Sequence, residues 1–581
     1  MRLVIREYLS MLKESGELDA LLADLLLCMG VVPTSKPQVG VRQHGVDIAG
    51  VGPDPDDQNT TKLFLLIIKR GDLDRATWND PTPQSVRASL DEVLDVYLAN
   101  CIGEEHRTRP KKIIVCCNGD MKQNAQPNWT GYTKKQQQPG LIEFEFWGAD
   151  RLSMLIEQFF LDEYLFPDSA QKQLRKTIAL ADQNEREPVF FYQLVQETLF
   201  ERGISTEATP KARRQRQHAL RLVNLMLNIV FHWCQEADNL RPALLSAERT
   251  LLLAWDWIRK GKLFDCPKTN EELGKILATH GDVLTAFVLK LAPFRNVRDG
   301  LLGHSSAEEL EYPLRTFEVI GILGVLGAIL AELQLNEEQA ELAQAVASLL
   351  ASLIKNNPPA TTPRFDSHAI DITLALLALE GAGQAEAASG WLEELGPRIM
   401  FGYHMGKCFP ICSDDYNDLV AMEFGEPPPK EKLLQMSTLL PLVAHWYAIL
   451  DLSDTYEEFQ KAIKQTLGTT NLQIWFPDET SEDCLYRQNA GIGSGTMLSS
   501  IELPPTLKQL KEECILLNDE RQEYRKLSCF EHGWRILSLI ASRHFRTPVI
   551  PEFWLRKIQK SSSPTTNQID EEAGNDEENL E

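Results

Sequence analysis

The sequence predicts an α/β segment, a mixed sheet flanked by helices, over residues 1–167, followed by a large all-α region. Three observations predict it. Helix and strand signals alternate up to about residue 166, the pattern of a sheet covered by helices. Beyond residue 188 strand signals nearly vanish and apolar residues recur at helical spacing, as in HALRLVNLMLNIVFHW and ELAQAVASLLASLI. The chain has 581 residues, 43% of them hydrophobic, which is enough for several cores rather than one.

Taken in order, residues 17–29 read as a near-continuously apolar helix and 45–51 as a short strand. The polar, Pro-rich GPDPDDQNTT reads as a turn, and 62–69 as a second strand. A helix is expected over 83–99, strands over 112–117 and 141–147, and a closing helix over 150–164. Residues 168–187 then read as a linker to a helical domain over 188–355. NNPPATTP makes 356–364 a second linker, leading to a second helical domain over 365–560 with an irregular insert at about 467–500. No fixed-period repeat is present, so a regular solenoid is not expected.

The formal charge of −24 argues against a generally basic protein that coats nucleic acid, though not against a local site. Residues 561–581 carry seven carboxylates and no Lys or Arg, so −17 is left on the rest, and this Ser/Asn/Glu-rich tail is expected to be disordered. The eleven cysteines are scattered rather than spaced as a disulfide framework and read as reduced core residues. No run of apolar residues reaches the ~18 to 20 needed to span a bilayer, and the N-terminus lacks a signal-peptide pattern. The expectation is a cytoplasmic protein with no membrane partner.

Metal-dependent phosphodiester cleavage needs carboxylates that hold Mg²⁺ and a lysine near the scissile phosphate. In GVDIAG the sequence offers Asp47, and in LFLLIIKR it offers Lys69, with Ile67 two residues before it. Asp19 lies on the preceding helix among Leu18, Leu21, Leu22 and Leu25, where an unpaired carboxylate would be costly. Arg70, Arg75 and Arg87, just beyond the strand, are candidates for phosphate contacts. The simpler reading of the same residues is a turn aspartate, a strand-end lysine and solvated arginines.

The run from LDALLADLLLCMG through QHGVDIAG to LLIIKR, closed by EFWGADRLSMLIEQ, resembles the Mrr-like branch of the restriction-endonuclease-like, or PD-(D/E)xK, superfamily. The resemblance covers the first 165 or so residues. It implies a restriction-endonuclease-like fold, with Asp19, Asp47 and Lys69 in the places of the helix acid, the strand Asp and the Lys. It departs from the pattern at Ile67, where the family has an acid or Gln. Mg²⁺, or Mn²⁺ in its place, would then be held by Asp19, Asp47, the Ile68 carbonyl and water. The implied function is a DNA endonuclease of a bacterial restriction or antiviral-defence effector, its helical region sensing or binding a partner protein or a second copy.

FRNVRDGLLGH carries Arg298, Asp299 and His304, an Arg-x5-His resembling the short motif of HEPN ribonucleases. There Arg would stabilise phosphate charge and His act in acid/base cleavage of RNA. A glycine-flanked helix terminus explains the same residues. A third possibility is a non-enzymatic adaptor with a degenerate nuclease fold. Gly321, Gly324 and Gly327 form a stripe suited to close helix packing or a dimer face. His404, Cys408 and Cys412 lack zinc spacing and read as buried loop thiols. AGIGSGTM lacks the Gly-Lys-Ser/Thr of a phosphate-binding loop. Lys211, Arg213, Arg214 and Arg216 form the densest basic run, either a partner or nucleic-acid patch or a solvated helix start.

Overall fold

The run TTKLFLLIIK has no polar alternation, and it forms β3 (Thr60–Lys69), the centre of a five-stranded sheet in the order β1-β2-β3-β4-β5. In this computed structural model the described residues are 2–35, 44–80, 85–160, 168–183, 187–207, 209–302, 308–425 and 428–561. β1 (Val32–Ser35), β2 (Ile48–Asp54) and β3 are antiparallel neighbours. β4 (Lys111–Cys117) and β5 (Ile142–Trp147) run parallel to β3. Parallel neighbours need crossovers, and these supply the helices on one face. The first holds α3 (Arg75–Asn79), α4 (Val86–Glu92) and, after a wider turn at Val93–Tyr97, α5 (Leu98–Asn100); the second holds α6 (Gln126–Gln136). Against them pack Leu63, Leu65, Ile67, Ile113 and Val115, with Trp78, Leu90 and Val93 from the helices. Phe64, Leu66, Ile68, Ile114 and Cys116, which alternate with these, are buried too. A sheet buried on both faces reads as an unbroken apolar run, which is why β3 and β4 are legible in the sequence.

α1 (Arg2–Met11), α2 (Asp19–Cys28) and α7 (Ala149–Phe159) also belong to this sheet domain; α1 and α2 both pack on α7, and α2 reaches β1 and β2. The mixed sheet with flanking helices expected over residues 1–167 is present in the described part of that range; residues 161–167, which include the end of the expected closing helix, lie outside it. α1, β1, α3 and α6 are additions to the sequence reading.

The chain divides into two compact units, Met1–His280 and Gly281–Glu581. In the first, residues 168–179 are not a linker but α8 (Asp168–Ala179), packed on α9 (Val189–Gln196). α10 (Pro210–Glu236) and α11 (Arg241–Lys260) follow, and α12 (Pro267–Leu291) runs past the boundary. Asp24 of α2 is paired with Arg221 at 3.8 Å and Lys275 at 2.6 Å, and Arg221 with Glu272 at 2.7 Å, which ties these helices to the sheet domain. The basic run opens α10. Arg216 is buried and donates to the carbonyls of Ser205 and Glu207, whereas Lys211, Arg213 and Arg214 are exposed.

The second unit is mostly helical. α13 (Glu308–Glu332) packs along α15 (Ala369–Gly381), with α14 (Glu337–Asn356) beside both and α16 (Ala385–Met405) after them. The glycine stripe makes this approach possible: a Cβ on Gly324 would lie 2.7 Å from the Ala375 backbone nitrogen, and one on Gly327 2.4 Å from Ala378 Cβ. Gly324→Val is therefore expected to destabilise this unit by about 1–3 kcal/mol through overpacking, read as a lower denaturant midpoint, while Gly390→Ala, with open space around it, leaves the midpoint unchanged or raised.

The segment Leu310–Glu332 is long and apolar enough to cross a membrane by composition, yet 78% of an apolar 18-residue stretch within it is buried. Pro267–Phe294 passes the same length and hydropathy test. Residues 356–364, expected as a linker, form a 3-10 turn at Pro358–Thr361 over a buried Asn357, whose side chain accepts from Leu301 N–H and Tyr312 O–H. The region is not purely helical: β6 (Met436–Ser437) pairs with β7 (Asn471–Leu472), and β8 (Ile474–Phe476) with β9 (Thr496–Leu498), which gives the irregular insert its order. All eleven cysteines are free thiols; five are buried, while Cys101 and Cys408 are exposed. Residues 562–581 lie outside those described.

Candidate active site at the end of the central strands

Ile48 pairs with Leu66, so Asp47 stands one residue ahead of the ladder, abreast of Ile67 and on the side of the sheet that Lys69 shares. Asp47 N–H still donates to the Leu66 carbonyl at 2.8 Å, and Asp47 Oδ2 accepts from Ile68 N–H at 2.7 Å. The carboxylate thus takes the place of a ladder partner at the strand end, which fixes its position. Burial raises its pKa; the Ile68 hydrogen bond and the charge of Lys69 lower it, and the charges of Glu14 and Asp19 raise it again. The charges of Lys69, Glu14 and Asp19 thus all act on the Asp47 carboxyl at this end of the sheet.

Glu14 is the residue that sequence reasoning did not single out as a site group. It follows α1, where the helix breaks: Ser15 is extended and Gly16 has φ of +84°, a conformation that favours glycine. The break is anchored by Asn118, which is buried after β4. Its Nδ2 donates to the carbonyls of Leu9 and Leu12 at 2.9 Å each, and its Oδ1 accepts from Gly71 N–H at 2.7 Å. Arg70 N–H then donates to Glu14 Oε2 at 3.0 Å. A cavity of about 140 Å³ opens beside Glu14 and Lys69, lined also by Arg70, Asp72, Thr77 and Cys117; Asp47 and Asp19 are not in its wall.

Asp19 opens α2, where a carboxylate is favoured by the helix dipole, and its Oδ1 accepts from Ala20 N–H at 2.7 Å. It is half-exposed, so the cost expected for a buried, unpaired acid does not arise. Ile67 is 1% exposed within the apolar core, so Ile67→Glu would bury a charge rather than restore a ligand. Arg70, Arg75 and Arg87 are exposed, and Arg87 lies 4.0 Å from Asp91.

The donors near Asp47 are hard oxygens, which suit Mg²⁺ or Mn²⁺. Among the described residues no three His, Cys, Asp or Glu side chains are gathered into a ready-made cage. The set fits an ion of the Mg²⁺ kind, which is commonly held by one or two carboxylates with water and substrate phosphate oxygens completing the shell. Asp47, with Glu14 or Asp19 and the Ile68 carbonyl, is the set that would hold it.

The raised pKa of Asp47 has a measurable consequence. A carboxyl whose folded pKa exceeds its unfolded value favours the native state below the unfolded pKa and loses that contribution as pH rises through the folded pKa. Ionised Asp47 therefore costs stability at neutral pH. Asp47→Asn, which keeps an acceptor for Ile68 N–H, is expected to raise Tm at neutral pH, with the gain closing as pH falls toward the ordinary carboxyl range. A lower Tm at neutral pH would mean that its neighbours stabilise the charge instead.

The second predicted site is only partly described. Arg298 is exposed and lies 3.7 Å from Asp299, which has φ of +55° and accepts from Tyr312 O–H at 3.0 Å. His304 falls outside the described residues. Cys408 is exposed, not buried as expected, and Cys412 donates Sγ–H to the Lys432 carbonyl at 2.9 Å. No family model, curated protein or solved structure matched this chain.

Proposed function

We propose that the sheet domain is a divalent-ion-dependent nuclease domain of the restriction-endonuclease-like type, acting on DNA. The observation that carries this reading is Asp47, fixed at the start of β2 by the Ile68 N–H and largely buried, with the charges of Lys69, Glu14 and Asp19 all acting on its carboxyl. A structural strand-end aspartate needs no lysine and two further carboxylates acting on it. The bound ion would supply charge for the phosphoryl oxygens and lower the pKa of a water. Lys69 would orient the attacking water and balance charge that develops on the phosphate. Glu14 takes the part of the second acid that Ile67 leaves vacant.

That assignment separates two carboxylates. Glu14→Gln is expected to lower plasmid cleavage by about tenfold or more, because Glu14 lines the same cavity as Lys69. Asp19→Asn, whose carboxylate is spent in part on its own helix start, is expected to have the smaller effect. Equal rates for Glu14→Gln and wild type, with Asp19→Asn inactive, would return the role to Asp19.

A further inference from the structure

The second unit contains a cavity of about 250 Å³ to which the nuclease reading gives no part. Its walls include Trp475, Trp554, Ile370, Leu442, Met497 and Val549. Both indole N–H groups are already used, Trp475 on the Ser494 carbonyl at 2.9 Å and Trp554 on His445 Nδ1 at 3.3 Å, so these residues bring ring surface to the cavity. An apolar cavity of about 150 Å³ takes a benzene ring, which scales this one to a fused bicycle of roughly ten heavy atoms.

The polar groups restrict the chemistry. Among the described lining residues the single cation, Arg546, is spent: Nη1 and Nη2 reach the two carboxylate oxygens of Asp371 at 2.8 Å each, and Nη2 also donates to the Ser367 carbonyl. Asp366 is spent as well, accepting from the Ser437 and Thr438 hydroxyls and from the N–H groups of Thr438 and Leu439. Asp414 is exposed on the lining and takes one bond, from Ser367 Oγ. The side-chain amide of half-buried Gln473 makes no hydrogen bond to any of the described residues, so it offers a donor and an acceptor side by side. The lining carries two carboxylates, Asp366 and Asp414, against one cation, Arg546, on which Asp371 and Asp414 both act; this excess of negative charge disfavours phosphate and favours an amino group, while an amide pairs with an adjacent donor and acceptor on a ring edge.

We infer that this cavity binds a fused-ring nitrogen heterocycle bearing an amino group, of adenine size and without phosphate. Trp475 and Trp554 make the intrinsic fluorescence of the full chain a reporter, with calorimetry giving the stoichiometry. Adenine is expected to bind saturably at one per chain, AMP more weakly, and indole weakly and without regard to Gln473. Gln473→Leu, close in shape, should weaken adenine roughly tenfold. Asp414→Asn, a change at an exposed position that leaves folding intact, should weaken it as well and narrow the gap to AMP. Absence of saturable adenine binding up to millimolar concentration, tighter binding of AMP than of adenine, or unchanged adenine affinity in both variants would overturn the assignment.

Discussion

Lys69→Ala and Asp47→Ala are each expected to lower divalent-ion-dependent DNA cleavage by about 10²- to 10³-fold, the usual loss when one preorganised electrostatic group is removed from a transition state. The loss should fall on kcat rather than KM, because neither group is needed to hold DNA in the ground state. The two effects should be far from additive: the charge of Lys69 acts directly on the Asp47 carboxyl, so the double variant is expected to lose little more than either single one. Folding should survive both changes. Asp47 contributes one hydrogen bond to the strand end, and Lys69 is half-exposed. Single-turnover rates on supercoiled plasmid, with circular dichroism as the control, read all three expectations. A loss confined to KM would reassign the pair to substrate binding.

The second large effect lies at the other end of β3. Lys62 and Asp54 are each 1% exposed and 3.0 Å apart, and Lys112 Nζ reaches both oxygens of Asp54 at 3.0 Å. Glu143 and Asp57 lie 2.7 and 2.8 Å from Lys62, and Glu145 and Asp56 2.7 and 3.5 Å from Lys112. Burial opposes ionisation of Asp54, but the hydrogen bonds from Lys112 and Lys62 outweigh it and hold its pKa below the ordinary value. Asp54→Ala leaves two buried ammonium groups short of a partner and is expected to cost roughly 3–5 kcal/mol. Urea denaturation at neutral pH measures it. Because the folded pKa is depressed, the Asp54 contribution is present above the unfolded carboxyl pKa and disappears as pH falls through the folded one, so wild type and variant should converge in acid. A variant within experimental error of wild type at neutral pH would mean that the more exposed carboxylates, Glu143 and Asp57 for Lys62 and Glu145 and Asp56 for Lys112, satisfy both lysines.

These two clusters show what the sequence discloses and what it conceals. β3 and β4 are visible because both faces of the sheet are covered, which leaves LFLLII and IIVCC without polar interruption. α6 is hidden: QPNWTGYTKKQ has no apolar stripe and no fully buried residue, so its helix is set by packing of Trp129 and Tyr132 against the sheet domain rather than by pattern. Asp47 and Lys69 could be singled out because each sits where a strand begins or ends. Glu14 could not be, since its place depends on a break at Gly16 and on Asn118, 106 residues from the carbonyl of Leu12 it holds. Ile67 misled in the other direction, because its position two residues before Lys69 suggests a ligand while its environment is core. NNPPATTP has a linker's composition, but Asn357 is buried with its hydrogen bonds satisfied, and composition does not reveal that.

DNA cleavage through the Asp47–Lys69 end of the sheet is the activity we propose for this chain. Incubation of the pure, full-length protein with supercoiled plasmid and, separately, with structured RNA, each in Mg²⁺ and in EDTA, tests it most directly. Nicked or linear plasmid is expected in Mg²⁺, intact plasmid in EDTA, and intact plasmid from Asp47→Ala under both conditions. Plasmid left intact by the wild type, or RNA cut equally well in EDTA, would contradict it.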